Sequence, residues 1–169
     1  MINFENQNVI DMKTEILNVL VAVLVTVLYL VAAMKIVLPL FRAISNPLSN
    51  ATGVLFYGTI LGFGITLNNF SEVATGALHY FASTNQTMNG ILYWLLFAAI
   101  AFVFSYVVFR LSFSLVGIAT SENEKAELAK NNYTIAGLHV VVFNITCLVV
   151  SQALVDYANT LINYPQFPN

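Results

Sequence analysis

Four long runs of apolar residues alternate with polar connections along this chain. The runs cover about residues 16–37, 51–70, 91–109 and 133–155. A helix of roughly 20 residues crosses the hydrocarbon core of a bilayer, which is about 30 Å thick. The pattern therefore predicts four transmembrane helices, preceded by an N-terminal segment at 1–15 and followed by a C-terminal tail at 159–169.

The connections between the runs predict an all-α integral membrane protein built as two tandem helical hairpins. The first hairpin covers residues 16–82 and the second covers residues 91–158. The connection inside the second hairpin, SENEKAELAKNN, is the most charged run in the chain. It predicts a short amphipathic helix that is capped by Ser121, with Glu124 three residues later as in a capping box.

The two hairpins share a faint internal repeat. An Asn-x-Thr triplet opens the second span of each hairpin, at Asn50 and at Asn132, and an acidic residue lies near the far end of each span, at Glu72 and at Asp156. Each copy has two spans, so both copies have the same orientation in the membrane. This is the pattern of a parallel repeat.

The composition strengthens the membrane assignment. Hydrophobic residues make up 59% of the chain and charged residues 8%, whereas roughly a quarter of an ordinary soluble domain is charged. As a soluble domain, the chain would leave long apolar runs exposed to water, and they would associate. The net charge is −2 and the cations form no basic face, so nucleic acid is not an expected partner.

Lys and Arg residues concentrate at two of the three connections. Lys35 and Arg42 bracket the first connection, and Arg110, Lys125 and Lys130 bracket the third, whereas the second has none. The positive-inside rule then places connections one and three in the cytoplasm and both termini outside. Lys13 is the exception, because it lies on the outward side.

Small and polar residues interrupt spans two and four at helical spacing. Neighbours in each set are three or four residues apart, which places each set on one helix face. In lipid, helices associate through close backbone approach at small residues and through interhelical hydrogen bonds. We therefore expect two helix-packing faces, formed by Gly58, Gly62, Thr66 and Asn69 in span two and by Asn144, Cys147 and Ser151 in span four.

Four ionisable residues are candidates for chemistry. Glu72 and Asp156 are either interfacial carboxylates in water or the acidic mouth of a cation path in an oligomer. His79 and His139 have side chains that titrate near neutrality, but His79 lies beyond span two on the outward side and His139 lies inside span four near the cytoplasmic side, too far apart to share a metal ion. The sequence therefore predicts no metal site and no cofactor.

Two stretches, NATGVLFYGTILGFGITL and AKNNYTIAGLHVVVFNITCLVVSQAL, resemble the YjfL-like bacterial inner-membrane proteins, a family grouped under a domain of unknown function. The family's small proteins have four spans in two hairpins, and an Asn precedes a span rich in Ala and Gly. Here Asn131-Asn132 stands where Gly-Asn is usual in that family. The resemblance implies a multi-pass protein of the bacterial inner membrane.

The sequence carries no metalloprotease, nucleophile-elbow or phosphate-loop motif. We therefore expect a non-enzymatic protein that serves as a subunit, anchor or sensor/scaffold of a membrane complex. Its expected partners are membrane lipid and either copies of itself or other membrane proteins. One alternative is an oligomer that conducts ions or protons, and a second is an intramembrane enzyme.

Overall fold

The computed structural model describes residues 4–84, 86–120 and 123–161, which form helices joined by short turns. The helices are α1 (Phe4–Arg42), α2 (Asn50–Ser83), α3 (Thr87–Thr120), α4 (Glu124–Ala129) and α5 (Tyr133–Leu161). Within these residues, α1, α2, α3 and α5 each contain a stretch long and apolar enough to cross a membrane. The predicted all-α fold with four membrane-spanning helices is confirmed.

The long helices extend beyond the predicted spans. Helix α1 begins at Phe4, so most of the predicted N-terminal segment is helical, and α2 and α3 continue to Ser83 and Thr120. The 34 residues of α3 measure about 51 Å at a rise of about 1.5 Å per residue, which exceeds the hydrocarbon thickness. Hydropathy marks the part of a helix that suits lipid, whereas the backbone hydrogen bonds continue into the polar layers.

Helix α2 lies at the centre of the bundle. It packs most extensively against α3 and α5 and less against α1. Half of its most apolar window is buried inside the protein, compared with 28% for α1, 33% for α3 and 28% for α5. The neighbouring helices therefore shield α2 from lipid, and α1 lies at the periphery.

Helices α2 and α5 run parallel and in register. Near their N-termini the Ala51 amide donates a hydrogen bond to Asn131 Oδ1 at 2.9 Å, and five turns later Asn69 Nδ2 donates to Ser151 Oγ at 2.6 Å. These contacts join residues 80 and 82 positions apart, close to the offset between the two Asn-x-Thr triplets. Equivalent positions of the two hairpins thus lie side by side, which agrees with a parallel repeat.

The short helix α4 folds back against the start of α2. Ser49 caps α2 by accepting a hydrogen bond from the Thr52 amide, and its hydroxyl donates to the Leu128 carbonyl at 2.8 Å. Asn131 joins α4 to α5 with a φ of 70°, a left-handed conformation that Asn adopts more readily than most residues. Helix α4 is thereby fixed against the N-terminal ends of α2 and α5.

The capping box predicted for α4 is wrong. Asn123 is the N-cap, and its Oδ1 accepts a hydrogen bond from the Ala126 amide at 3.3 Å. Glu124 is the first residue of the helix and points into the bundle instead of back to a cap. Ser121 lies outside the described residues.

Aromatic rings fill the space between the four long helices. The rings of Phe41 on α1 and Phe109 on α3 lie 5.7 Å apart, and Phe63 on α2 lies 6.2 Å from Phe143 on α5, measured between centroids. All four rings are buried. Such pairs stabilise a fold by about 0.5 to 1.5 kcal/mol each beyond the area they bury. The centre of the described bundle is therefore packed with rings.

Candidate functional site

The structure brings the predicted packing residues together in one interface, here called the α2–α5 seam. It consists of four residues on α2 and three on α5, and each set lies on the side of its helix that faces the other helix. The members are Gly58, Gly62, Thr66, Asn69, Asn144, Cys147 and Ser151.

The two glycines of the seam allow α5 side chains to approach the α2 backbone closely. A Cβ atom added at Gly58 would overlap the Val140 side chain, with Cγ1 only 2.7 Å away. A Cβ atom at Gly62 would lie 2.8 Å from Phe143 Cδ1 and 3.0 Å from Asn144 Oδ1. Hydrogen in place of a methyl group therefore lets the α5 side chains rest directly on the α2 backbone.

The two amides of the seam form hydrogen bonds between the helices. Asn144 Nδ2 donates to the Gly58 carbonyl at 3.1 Å and also to the Val140 carbonyl on its own helix at 2.7 Å. Asn69 Nδ2 donates to Ser151 Oγ, and the Ser151 hydroxyl in turn donates to the carbonyl of Cys147. Both amide NH₂ groups are thus used within the subunit.

Cys147 is a buried free thiol in the middle of the seam. It has no exposed surface, and its sulfur neighbours the hydroxyl of Thr66. The Thr66 hydroxyl itself donates to the Gly62 carbonyl at 3.1 Å. Because a nucleophilic cysteine requires access to its substrate, Cys147 serves here as a small packing residue.

The two candidate acids of a cation path lie outside the seam. Glu72 on α2 and Asp156 on α5 are both exposed, and they lie at similar depth because the two helices run parallel and in register. Asp156 Oδ1 accepts a hydrogen bond from Gln152, one turn earlier on the same helix. Both carboxyl groups therefore lie on the outer surface of the bundle.

The two histidines lie in different halves of the bundle. His79 is exposed near the C-terminal end of α2, whereas His139 is fully buried in the second turn of α5. Among the described side chains, no group of three or more His, Cys, Asp and Glu residues could hold a metal ion. The two imidazoles therefore lie apart, near opposite ends of the bundle.

His139 forms a buried pair with Glu124, which the sequence did not predict. His139 Nε2 lies 2.9 Å from Glu124 Oε2, and the Glu124 residue is only 8% exposed. The ring of Phe113 covers the imidazole at a centroid distance of 4.2 Å. A Cβ atom at Gly117 would lie 3.0 Å from Glu124 Oε1, so this glycine leaves room for the carboxyl group.

Two buried atoms of this pair have no hydrogen-bond partner in the described structure, namely Glu124 Oε1 and His139 Nδ1. The bond between the pair places a proton between a carboxyl oxygen and an imidazole nitrogen, and the unpaired atoms lie at its two ends. Burial raises the pKa of the Glu124 carboxyl above its ordinary value. The pair can therefore hold a proton inside the protein.

The pair escaped the sequence-based prediction because Glu124 belongs to a charged connection that reads as solvent-exposed. Only the fold of α4 brings it to His139, 15 residues away. One signal for His139 was available: it precedes Phe143, Cys147 and Ser151 at steps of four residues. That spacing places the imidazole on the same buried face of α5.

Comparisons with known proteins identify no relative of this chain. No family model, no curated protein and no solved structure matches the chain. The functional interpretation therefore rests on the seam and on the Glu124–His139 pair.

Proposed function

We propose that this protein is a non-enzymatic multi-span membrane protein that works as a subunit or scaffold of a membrane complex. One observation carries this proposal: the intramembrane amide groups of Asn69 and Asn144 donate hydrogen bonds within the α2–α5 seam. A polar group that holds two helices together is not available to line a path for solutes.

The packing of the bundle supports the same function. A conducting path requires polar groups or backbone carbonyls along a continuous water-filled route. In the described bundle, the rings of Phe41, Phe63, Phe109 and Phe143 occupy the space between the long helices. A single subunit with this interior favours association in the membrane over passage of ions.

The lipid-facing surface offers room for neighbouring helices. An apolar groove of about 490 Å³ lies between α3 and α5, and it includes Val103 and Leu154. A second apolar groove of about 200 Å³ lies between α1 and α3, beside Tyr29. Apolar grooves of this kind accept the side chains of another copy or of another membrane protein.

The location and family of the protein belong to the same proposal. We infer that the end of the bundle with Arg42, Arg110, Lys125 and Lys130 faces the cytoplasm of a bacterial cell, which places both termini outside. Two features support membership of the YjfL-like proteins. Helices α2 and α5 run parallel, and Asn131 has a left-handed backbone that would also suit the glycine usual at this position in that family.

Reconstitution into liposomes tests the proposed function. Vesicles with purified protein should hold an imposed potassium or proton gradient as long as protein-free vesicles do, because aromatic rings fill the interior of the described bundle. Two differently tagged copies, or one copy and its partner, should co-purify from native membranes. Rapid collapse of the gradient, or a protein that stays single under native conditions, would contradict the proposal.

The Glu124–His139 pair favours a second candidate function, an oligomer that conducts protons. Its two unpaired buried atoms are possible points of proton entry and exit, and ionisable groups at membrane depth mark proton routes. If vesicles with the wild-type protein lose a proton gradient, Glu124→Gln should slow that loss strongly, whereas Glu127→Gln should not. Equal loss in both variants would exclude the pair from the route.

A further inference from the structure

A cleft opens at the end of the bundle where α1 stops. Helix α1 ends at Arg42, whereas its neighbour α3 continues to Thr120, about 15 Å further at about 1.5 Å per residue. The last turn of α1, the C-terminal part of α3 and one residue of α4 enclose a cleft of about 420 Å³. This volume falls within the range of about 300 to 1,000 Å³ that is usual for small-ligand sites.

The cleft combines an apolar wall with two cationic side chains. Leu40 and Ile44 line it from the α1 side and Leu111 from the α3 side, while Arg110 and Lys125 reach it from α3 and α4. Among the described residues, neither Arg110 nor Lys125 has a carboxylate within ion-pair distance. No described carboxylate therefore compensates the positive charge of the cleft.

The two carboxylates of α4 are engaged elsewhere. Glu124 precedes Lys125 in α4, but its carboxyl group is turned inward to His139 at 2.9 Å. Glu127 forms its ion pair with Lys130 at 3.0 Å, on an exposed part of α4. A ligand that enters the cleft thus meets two cations without competition from these acids.

We propose that this cleft binds an anionic phospholipid of the surrounding leaflet. The phosphate group would contact Arg110 and Lys125, and the start of an acyl chain would lie on Ile44 and Leu111. Basic pockets between transmembrane helices at the cytoplasmic side are suited to lipid headgroups because the charge attracts phosphate and the helices accept acyl chains. The apolar wall selects a lipid over free phosphate.

The test is lipid binding by native mass spectrometry of the delipidated full-length protein. The probes are phosphatidylglycerol, phosphatidylcholine of the same chain length, and inorganic phosphate. The double variant Arg110→Gln, Lys125→Gln should lower the affinity for phosphatidylglycerol by roughly ten- to thirtyfold, since each cation near a membrane surface contributes to anionic-lipid attraction. Lys130→Gln removes the same charge outside the cleft and should change affinity by less than about twofold.

Wild-type protein should bind phosphatidylglycerol more tightly than phosphatidylcholine, with an affinity that falls as salt concentration rises. Inorganic phosphate should bind far more weakly. Arg110→Lys combined with Lys125→Arg keeps both charges and should retain binding. Equal binding of the two lipids, an unchanged affinity in the double Gln variant, or phosphate binding as tight as lipid would overturn the proposal. If the double Gln variant does not fold, the proposal is tested by wild-type protein alone, through its relative affinity for phosphatidylglycerol and phosphatidylcholine and the salt dependence of that affinity.

Discussion

Gly62 offers the sharpest test of the α2–α5 seam, because a single methyl group should disturb it. In Gly62→Ala the new Cβ would overlap the ring of Phe143 and lie 3.0 Å from Asn144 Oδ1. The Phe143 ring is 1% exposed and is packed against Phe63 and Phe109. It therefore has little room to move, and α2 and α5 must separate.

Two opposing effects determine the stability change in Gly62→Ala. Overpacking of a close-packed interior typically costs about 1 to 3 kcal/mol, whereas replacing a helical glycine by alanine returns about 0.5 to 1 kcal/mol of helix propensity. Gly64 is the matched control, because its added Cβ would meet no atom within 4 Å. Gly64→Ala keeps the propensity gain without the overlap, so the difference between the two variants isolates overpacking.

Thermal unfolding of both variants in the same detergent provides the measurement. We expect Gly64→Ala to equal or exceed the wild-type stability and Gly62→Ala to fall below Gly64→Ala by about 1 to 3 kcal/mol. For a chain of this size, 1 kcal/mol corresponds to a shift of about 2 to 4 °C in Tm. Equal stability of the two alanine variants would refute the close approach of the helices at Gly62.

Two further predictions concern polar side chains. Asn144→Leu removes the hydrogen bond to the Gly58 carbonyl and should lower the free energy of unfolding in detergent by about 0.5 to 2 kcal/mol. Ile145→Leu on the lipid-facing side is the control and should change stability little. Equal effects of the two variants would contradict the seam. Burial raises the pKa of Glu124 above its ordinary value, so its contribution to stability is complete below that ordinary value and is lost as pH rises through the raised pKa. Relative to wild type, Glu124→Gln should therefore gain Tm as the pH rises above about 4.5, and a constant difference would contradict this.

The pattern of apolar and polar residues predicted much of the fold because lipid imposes a simple rule. A span must be apolar and helical, since no water is present to satisfy its backbone. The same rule explains why the seam could be anticipated: Gly62 and Asn144 are costly in a lipid-facing position and are explained by contact with a helix. The offset between the Asn-x-Thr triplets also indicated that α2 and α5 are equivalent.

The Glu124–His139 pair could not be predicted from the apolar and polar pattern of the sequence. Glu124 reaches the bundle interior only because α4 folds back and because Gly117 leaves space for its carboxyl group. Both conditions depend on tertiary packing, and neither leaves a periodic signal in the sequence. The helix ends were missed for a related reason, because hydropathy falls at the membrane surface while α3 continues to Thr120.

A double-mutant cycle across Asn69 and Ser151 tests most directly the central claim that intramembrane polar groups hold the helices together. Asn69→Leu, Ser151→Ala and the combined variant are compared with wild type by reversible unfolding in mixed micelles. The 2.6 Å bond between these side chains predicts a coupling free energy of about 0.5 to 1 kcal/mol. As a control, Asn69→Leu combined with Thr146→Ala should be additive, because the Thr146 hydroxyl bonds within α5 to the Val142 carbonyl. Additive effects of Asn69→Leu and Ser151→Ala as well would contradict the claim.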